Sequence, residues 1–589
     1  MSWSAIALSC LIASGVLPPL GAQVETPEAE RPNSFGETVD VNLVNIEVTA
    51  FDKEGNAILG LTRDDFEVFE DGDPVEITHF FPVADGIRFL EPLDSGSPSA
   101  PVDLEAPSAR DRRFVVVYVD NGNILPIHRR RVFEQLRRSM EELLSSADEI
   151  MVVSQDSGVV VEQTFTRDPE LIEAALARSE KVAGRGAARI AQPRVIQRQI
   201  ESGEAPPGAD ALVTGTAPVT GEAFSRPNWD VDARRTFSAV RSFAETTRHE
   251  LSQSIGALVR CLDSLSGLPG RKAVLYVSDG LELNPGEALF RIWDYKYSSI
   301  ASQEVGVASI DLEIDRYNLR TEYRDLVRSA NANRVAFYTI QGGSGRTFGS
   351  VSAEGRTLVA DTLARSSDGG REDSLRDLAQ QTGGRALVNS VGVGGFLKDL
   401  KNDFSQYYSL GFPSPNKGDR KYHKVKVRVR REGVKVRYIS GYRDKSPQER
   451  MVDRTLASLF HNVGENPLEI QVEVGEEVPS AGRVGLLVPL SVKVPVAKIA
   501  LLPQNEEHLG RVSVFIAVQD EKGRMSDPQT IDLPMRIPNE QLLAAISQTA
   551  EYRAQLQMRS GPQKLAIGVW DEVGAVGSTM NLQLHVEAQ

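Results

Sequence analysis

The sequence predicts an α/β plus β protein: a doubly wound parallel sheet, flanked by β-sandwich segments and followed by an immunoglobulin-like sandwich. Three observations predict it. From residue 113 to about 412, short apolar runs alternate with helical periodicity, and two of these runs end on aspartate. Before and after that region, at 39–80 and 407–442, apolar and polar residues alternate with the period of a half-buried strand. From Leu468 onward, β pattern and turn signals recur at the spacing of a sandwich.

Length and composition set the frame. A chain of 589 residues is too long for one core and should divide into about three or four domains. With 66 basic and 81 acidic residues, a formal charge of −15, the chain lacks the basic face that phosphate binding needs, so nucleic acid is excluded as a partner. Its basic cluster, Lys424 to Arg437, alternates with valines, the pattern of a strand pair with a solvated cationic face. No internal segment is apolar for long enough to span a bilayer.

Residues 1–23 resemble an export signal, with an apolar stretch from Ala5 to Leu20 and small residues at Gly21-Ala22, although no Lys or Arg precedes the stretch. An exported protein, periplasmic, cell-surface or secreted, is the expectation. Cleavage would remove Cys10 and leave Cys261, which lies among Ile255, Leu258 and Leu262 in a helical pattern and reads as a buried thiol. Residues 24–36 are a Pro/Glu-rich leader. Residues 37–85 hold strands broken by acidic turns, Asp52 to Asn56 and Asp71-Gly72-Asp73, which lack the ligand periodicity of a calcium loop and read as hairpins. Too short to cover both faces of a sheet, this segment needs a partner. Residues 407–445 have the same need, which predicts that 37–85 and 407–442 pair into one small sandwich with the α/β region inserted between them.

Residues 86–110 form a Pro/Ser/Asp-rich linker. The α/β region, 111–412, opens with Phe114 to Val119, six apolar residues without alternation, the mark of a strand buried on both faces. Asp120 closes that strand, at the end where ligands bind in open α/β sheets. Strands follow at Glu149 to Ser154, Val159 to Thr166, Ala273 to Val277 and Arg334 to Ile340, with helical segments between. Residues 183–232 are Gly-, Pro-, Ala- and Arg-rich and read as a partly disordered insertion ahead of a long helix from about Ala233 to Leu265. Residues 446–466 read as a linker, helical or looped, before the sandwich at 467–589, whose core should include Trp570.

The strand ending in Asp120, Phe165-Thr166-Arg167-Asp168 opening a helix, and Leu275 to Gly280 together resemble a von Willebrand factor type A domain. Leu61 to Phe66 with Glu70-Asp71-Gly72, and Tyr408 to Phe412 with Val434 to Arg437 and Gly441-Tyr442, are similar to the segments flanking that domain in the VWFA-related proteins common in Acidobacteria. The resemblance implies a metal-ion-dependent adhesion site: an Asp-x-Ser-x-Ser loop, a Thr and a further Asp hold Mg2+, whose open position takes a carboxylate from a protein partner. Position by position, Asp120, Thr166 and Asp279 match, whereas the two serine positions are Gly122 and Ile124. Asn121 or Asn123 could lend an amide oxygen. The other reading is a vestigial site, with Asp120 and Asp279 capping turns and helix starts.

Seven histidines show no zinc-ligand spacing. There is no Gly-x-Ser-x-Gly elbow or P-loop, and Gly184-x-Gly186-x-x-Arg189 lacks the third glycine of a dinucleotide fingerprint. No catalytic residue is singled out, so the expectation is a non-enzymatic, adhesion-type protein with a degenerate metal site and an unknown protein ligand. The alternative is a structural or assembly component of the cell envelope, in which the β domains make the contacts and the type A domain is a spacer.

Overall fold

Four strands open the described chain: β1 (Leu43–Phe51), β2 (Phe66–Glu70), β3 (Asp73–Val75) and β4 (His79–Ala84), with a two-residue β5 (Ile87–Arg88) returning along β4. The computed structural model describes residues 43–84, 87–89, 112–156, 158–182, 184, 186–202, 229–343, 358–388, 392–416, 418–461, 464–476, 478–479, 486–521 and 524–587. The export signal, the leader, most of the 86–110 linker and residues 203–228 of the insertion lie outside the described residues.

The α/β region begins with β6 (Arg113–Asp120), α1 (Pro126–Arg138), α2 (Met140–Ser146), β7 (Glu149–Gln155), β8 (Val159–Thr166) and α3 (Pro169–Lys181). It continues through α4 (Gly186–Ser202), α5 (Trp229–Ser264), β9 (Arg271–Val277), α6 (Glu287–Ile300), α7 (Ile310–Asp315), α8 (Arg320–Ala332) and β10 (Val335–Ile340). It closes with α9 (Leu358–Gln381), β11 (Ala386–Leu387) and α10 (Val393–Ser405). The sheet runs β11-β10-β9-β6-β7-β8, with β6 at its middle.

Alternation along β6 explains its unbroken apolar run. Phe114, Val116 and Tyr118 pack on one face against Leu251, Ile255 and Leu258 of α5 and Leu326 of α8. Val115, Val117 and Val119 pack on the other against Phe133 of α1, Ile172 of α3 and Leu397 of α10. Helices on both faces are what parallel strands require. The sheet is nonetheless mixed: β8 lies antiparallel to β7, a correction to the wholly parallel expectation. Only residues 156–158 separate the two strands, and a parallel crossover needs a dozen or more.

A second correction concerns the insertion. Residues 186–202 form α4, and α5 begins at Trp229, ahead of the expected start. With 36 residues, α5 is about 54 Å long, and its two halves serve different cores. Its C-terminal half packs on the sheet. Its N-terminal half joins α4, α6 and α7 in a helical cap with a core of its own, built on Ile200, Phe237, Val240, Phe290 and Trp293.

Leaving α10, the chain enters β12 (Gln406–Pro413), then β13 (Tyr422–Val429), β14 (Lys435–Arg437) and β15 (Gly441–Arg443). β12 lies between β1 and β4, with Leu43 opposite Pro413 and Gln406 opposite Ala84, and β13 lies against β2, with Val425 opposite Glu70. Two sheets, β14-β1-β12-β4-β5 and β15-β13-β2-β3, thus enclose Ile46, Val48, Phe66, Tyr408 and Phe412. Each chain segment completes the other's uncovered face.

Of the two forms open to the 446–466 linker, helix or loop, the chain takes the helix, α11 (Pro447–His461), and it is packed on both sides. Ala457 belongs to the sheet-side core of the α/β region, and Leu459 packs on Ala517 and Ala566 of the C-terminal part. That part comprises β16 (Gln471–Val474), β17 (Val478–Pro479), β18 (Leu486–Pro495), β19 (Leu502–Gln504), β20 (Glu507–Asp520) and β21 (Gln529–Pro538). A short α12 (Leu542–Ile546) precedes β22 (Thr549–Met558), β23 (Gly561–Asp571) and β24 (Val576–Val586). Its two antiparallel sheets share a core of Val488, Leu490, Val514, Leu556 and Val569. Trp570, expected in that core, is only half-buried, because it falls on the outward side of β23. Among the described residues no helix is long and apolar enough to cross a membrane.

Candidate functional site

The loop after β6 is the natural place to look. Asp120 is fully buried: its Oδ2 accepts hydrogen bonds from the Tyr276 hydroxyl at 2.6 Å and from Asn123 Nδ2 at 2.7 Å, and its Oδ1 accepts from the Asn123 backbone N–H at 3.2 Å. Burial drives its pKa upward, against the pull of these donors and of the Arg189 charge. Tyr276 is raised well above the ordinary tyrosine value, first by burial and then by the neighbouring Asp120.

Asp279 lies on the adjacent loop, since its N–H donates to Asn123 O at 2.9 Å. Both its oxygens lie 2.9 Å from His128 Nδ1, and Oδ2 also accepts from the Leu125 N–H at 2.8 Å, so it holds the start of α1. The structure therefore brings Asp120 and Asp279 to one end of the sheet, as the resemblance implies.

Thr166 does not join them. It pairs with Ile150, which pairs in turn with Val115, whereas Asp120 pairs with Gln155. Five residues of strand, about 16 Å, separate the two ends of β7. Reversing β8 sends Thr166 to the opposite end of the strands, where its hydroxyl accepts from the Asp168 N–H at 3.1 Å just ahead of α3. The three expected metal ligands therefore do not converge, and a Mg2+ site from Asp120, Thr166 and Asp279 does not fit. Mg2+ also wants nearly free oxygens in octahedral array, and here both carboxylates are taken up by protein donors.

A cation of the chain's own reaches the loop instead. Arg189 of α4 donates through Nη1 to Asn123 Oδ1 and through Nη2 to Glu250 Oε2 at 2.8 Å. It is one hydrogen-bonded residue away from Asp120. α4 is seated flush: a Cβ at Gly186 would come within 2.2 Å of Ile124 O, and one at Gly184 within 2.7 Å of Asn121 O. Arg129 of α1 fixes the approach, donating to Asn121 Oδ1 at 2.6 Å and to the carbonyls of Val182 and Glu180 at 2.8 Å.

Between these groups lies a pocket of about 20 Å³, one water's worth of space, lined by Asn123, Leu125, Arg189, Asp279, Glu282 and Arg371. Arg189 Nε, on its lining, is buried with no hydrogen-bond partner, as are Asn121 Nδ2, His128 Nε2 and Gln155 Oε1, which do not line it. A Cβ at Gly122 would meet Asp120 Oδ1 at an ordinary 3.5 Å and Ser254 Oγ at 3.9 Å. Glycine there is thus not forced by crowding. Sequence reasoning missed Arg189, Tyr276, His128 and Ser254 as members of this site. The Ile196 and Ile200 pair, four residues apart, was the available sign that 186–202 is a helix rather than loose chain.

No family profile and no curated protein matches the chain. Among solved structures, a Northeast Structural Genomics Consortium target is 14% identical and covers 20% of this chain and 93% of its own, with a TM-score of 0.14. The PilB minor pilin from Streptococcus sanguinis is 10% identical, covering 62% of this chain and 86% of its own, and a point mutant of it is 9% identical over 61% and 86%; both have a TM-score of 0.19. Overlaps at these TM-scores carry no argument about fold or function.

Proposed function

We propose that the chain is an exported, non-catalytic protein-binding protein built on a von Willebrand factor type A-like domain, with Arg189 as the resident cation where the resemblance implies a metal. The docking of Arg189 on Asn123 and Glu250, beside the Asp120 and Asp279 loops, carries this reading. A guanidinium pairs with carboxylate in a planar fork, so a partner's acidic side chain would take Glu250's place. Asp120 and Asp279 then act as positioning groups that hold the loop and the start of α1.

The immobilised full chain should retain a protein from an envelope extract of its source organism, with or without Mg2+. Arg189→Ala should lose that protein while keeping its circular dichroism. Retention that depends on Mg2+, or that survives Arg189→Ala, defeats the reading.

One observation favours the envelope-component alternative. α11 fixes the C-terminal sheets, read as an immunoglobulin-like sandwich, onto the α/β core, and α12 presents Leu543 at 87% exposure. Capture indifferent to Arg189 but lost on removing residues 467–589 supports that alternative.

A further inference from the structure

Away from the sheet, the flanking sandwich gathers a different set of groups. Glu70 ends β2, and Asp71-Gly72 turn into β3 with positive φ at both residues. His423, at the start of β13, faces them. One ligand atom from each of Glu70, Asp71 and His423 lies within 4.8 Å of the others. His423 Nδ1 is 2.8 Å from Asp71 Oδ2 and 3.6 Å from Glu70 Oε1. Its Nε2 is 3.0 Å from Asp419 Oδ1.

Carboxylates that gather on a surface mean little by themselves. Here Glu70 is 1% exposed, and its Oε2 has no hydrogen-bond partner, while Oε1 accepts from Ser414 Oγ at 2.9 Å and Asn416 Nδ2 at 3.0 Å. A buried carboxylate oxygen left without a donor is costly, and a cation held by both Glu70 oxygens, Oε1 toward His423 and Oε2 otherwise unpaired, removes the cost.

We propose that Glu70, Asp71 and His423 bind a divalent cation of the zinc class, which clasps the N-terminal strands to the segment after β12. Nitrogen from one imidazole with two carboxylates suits zinc, whereas Ca2+ and Mg2+ prefer all-oxygen shells. Two ligands each about 2.1 Å from a tetrahedral ion stand about 3.4 Å apart, and the Nδ1 separations of 2.8 and 3.6 Å lie on either side of that figure. Asp419 supplies the outer partner: it accepts the Nε2 proton, which leaves Nδ1 with a lone pair for the metal and fixes the ring. The Asp71 side chain, 43% exposed, opens the fourth position to solvent.

Full-chain protein, stripped with chelator and titrated with Zn2+ by calorimetry, should bind one equivalent and melt at higher temperature with Zn2+ than with chelator. Glu70→Gln and His423→Gln should abolish both effects. Should those variants fail to fold, Asp71→Asn, at a half-exposed turn, should still weaken binding at least tenfold, and Asp419→Asn by about 10–100-fold. A folded wild type that takes up no Zn2+, or uptake unchanged in Asp71→Asn and Asp419→Asn, overturns the proposal.

Discussion

Asp120 shows how one residue can be legible by type and illegible by role. An aspartate closing an apolar strand stands out in the sequence, but that both its oxygens would be consumed by Tyr276 and Asn123 depends on a strand and a loop folded around it. Tyr276→Phe removes a donor from a buried carboxylate and should destabilise the fold by about 1–3 kcal/mol in urea unfolding. A change below a few tenths would mean that Asn123 alone satisfies the group. Gly122→Ser restores a serine of the adhesion motif without a clash, and should leave Mg2+ unbound while Arg189 stays in place. Calorimetric heat from Mg2+ in that single variant would show that the arginine does not exclude the metal. The acidic and histidine cluster was hidden more completely, because Asp71 and His423 lie 352 positions apart and no spacing rule reaches that far.

Elements were more readable than their directions. The apolar runs at β6, β7 and β9 are the strands the pattern implies, but strand direction has no signature in side-chain type. The short 156–158 connection was the clue to the hairpin, and with it to the fate of Thr166. α11 is the element whose role the sequence concealed most, since a linker and a wedge share the same amphipathic pattern. It crosses the turn at Gly267 so closely that a Cβ there would lie 2.0 Å from Asp453 O. Gly267→Ala should therefore cost about 1–3 kcal/mol and expose residues 446–466 to limited proteolysis. Unaltered melting and cleavage would refute the wedge.

At the end of α11, His461 Nε2 donates to Ser264 O at 2.9 Å, the ring lies edge-on to Phe165, and Nδ1 has no partner. Burial lowers its pKa to about 4 from an ordinary 6.5. Protons then favour the unfolded chain between those values, so this contribution is whole above pH 6.5 and declines as pH falls toward 4, by on the order of 3 kcal/mol. His461→Phe should flatten the difference in stability between pH 7 and 4.5 relative to wild type. Parallel profiles for the two proteins would remove His461 from the account.

For the whole molecule, the sandwich is the joint that makes the chain one object. β12 lies between β1 and β4, so deleting residues 1–89 strips it of both neighbours and bares Tyr408, Leu410 and Phe412. Such a deletion should yield aggregating protein, and a peptide spanning residues 37–89 added during refolding should restore a soluble monomer. Soluble, cooperatively melting deletion protein would show that the α/β region carries 407–442 without help. The same closure sets a clock on synthesis. Once Ala84 has left the ribosome, roughly 320 more residues must be made before Gln406 follows, about 16–64 s at 5–20 residues per second. For that interval the first strands are unpaired edges in a crowded cell, and whatever guards them must wait as long as translation does.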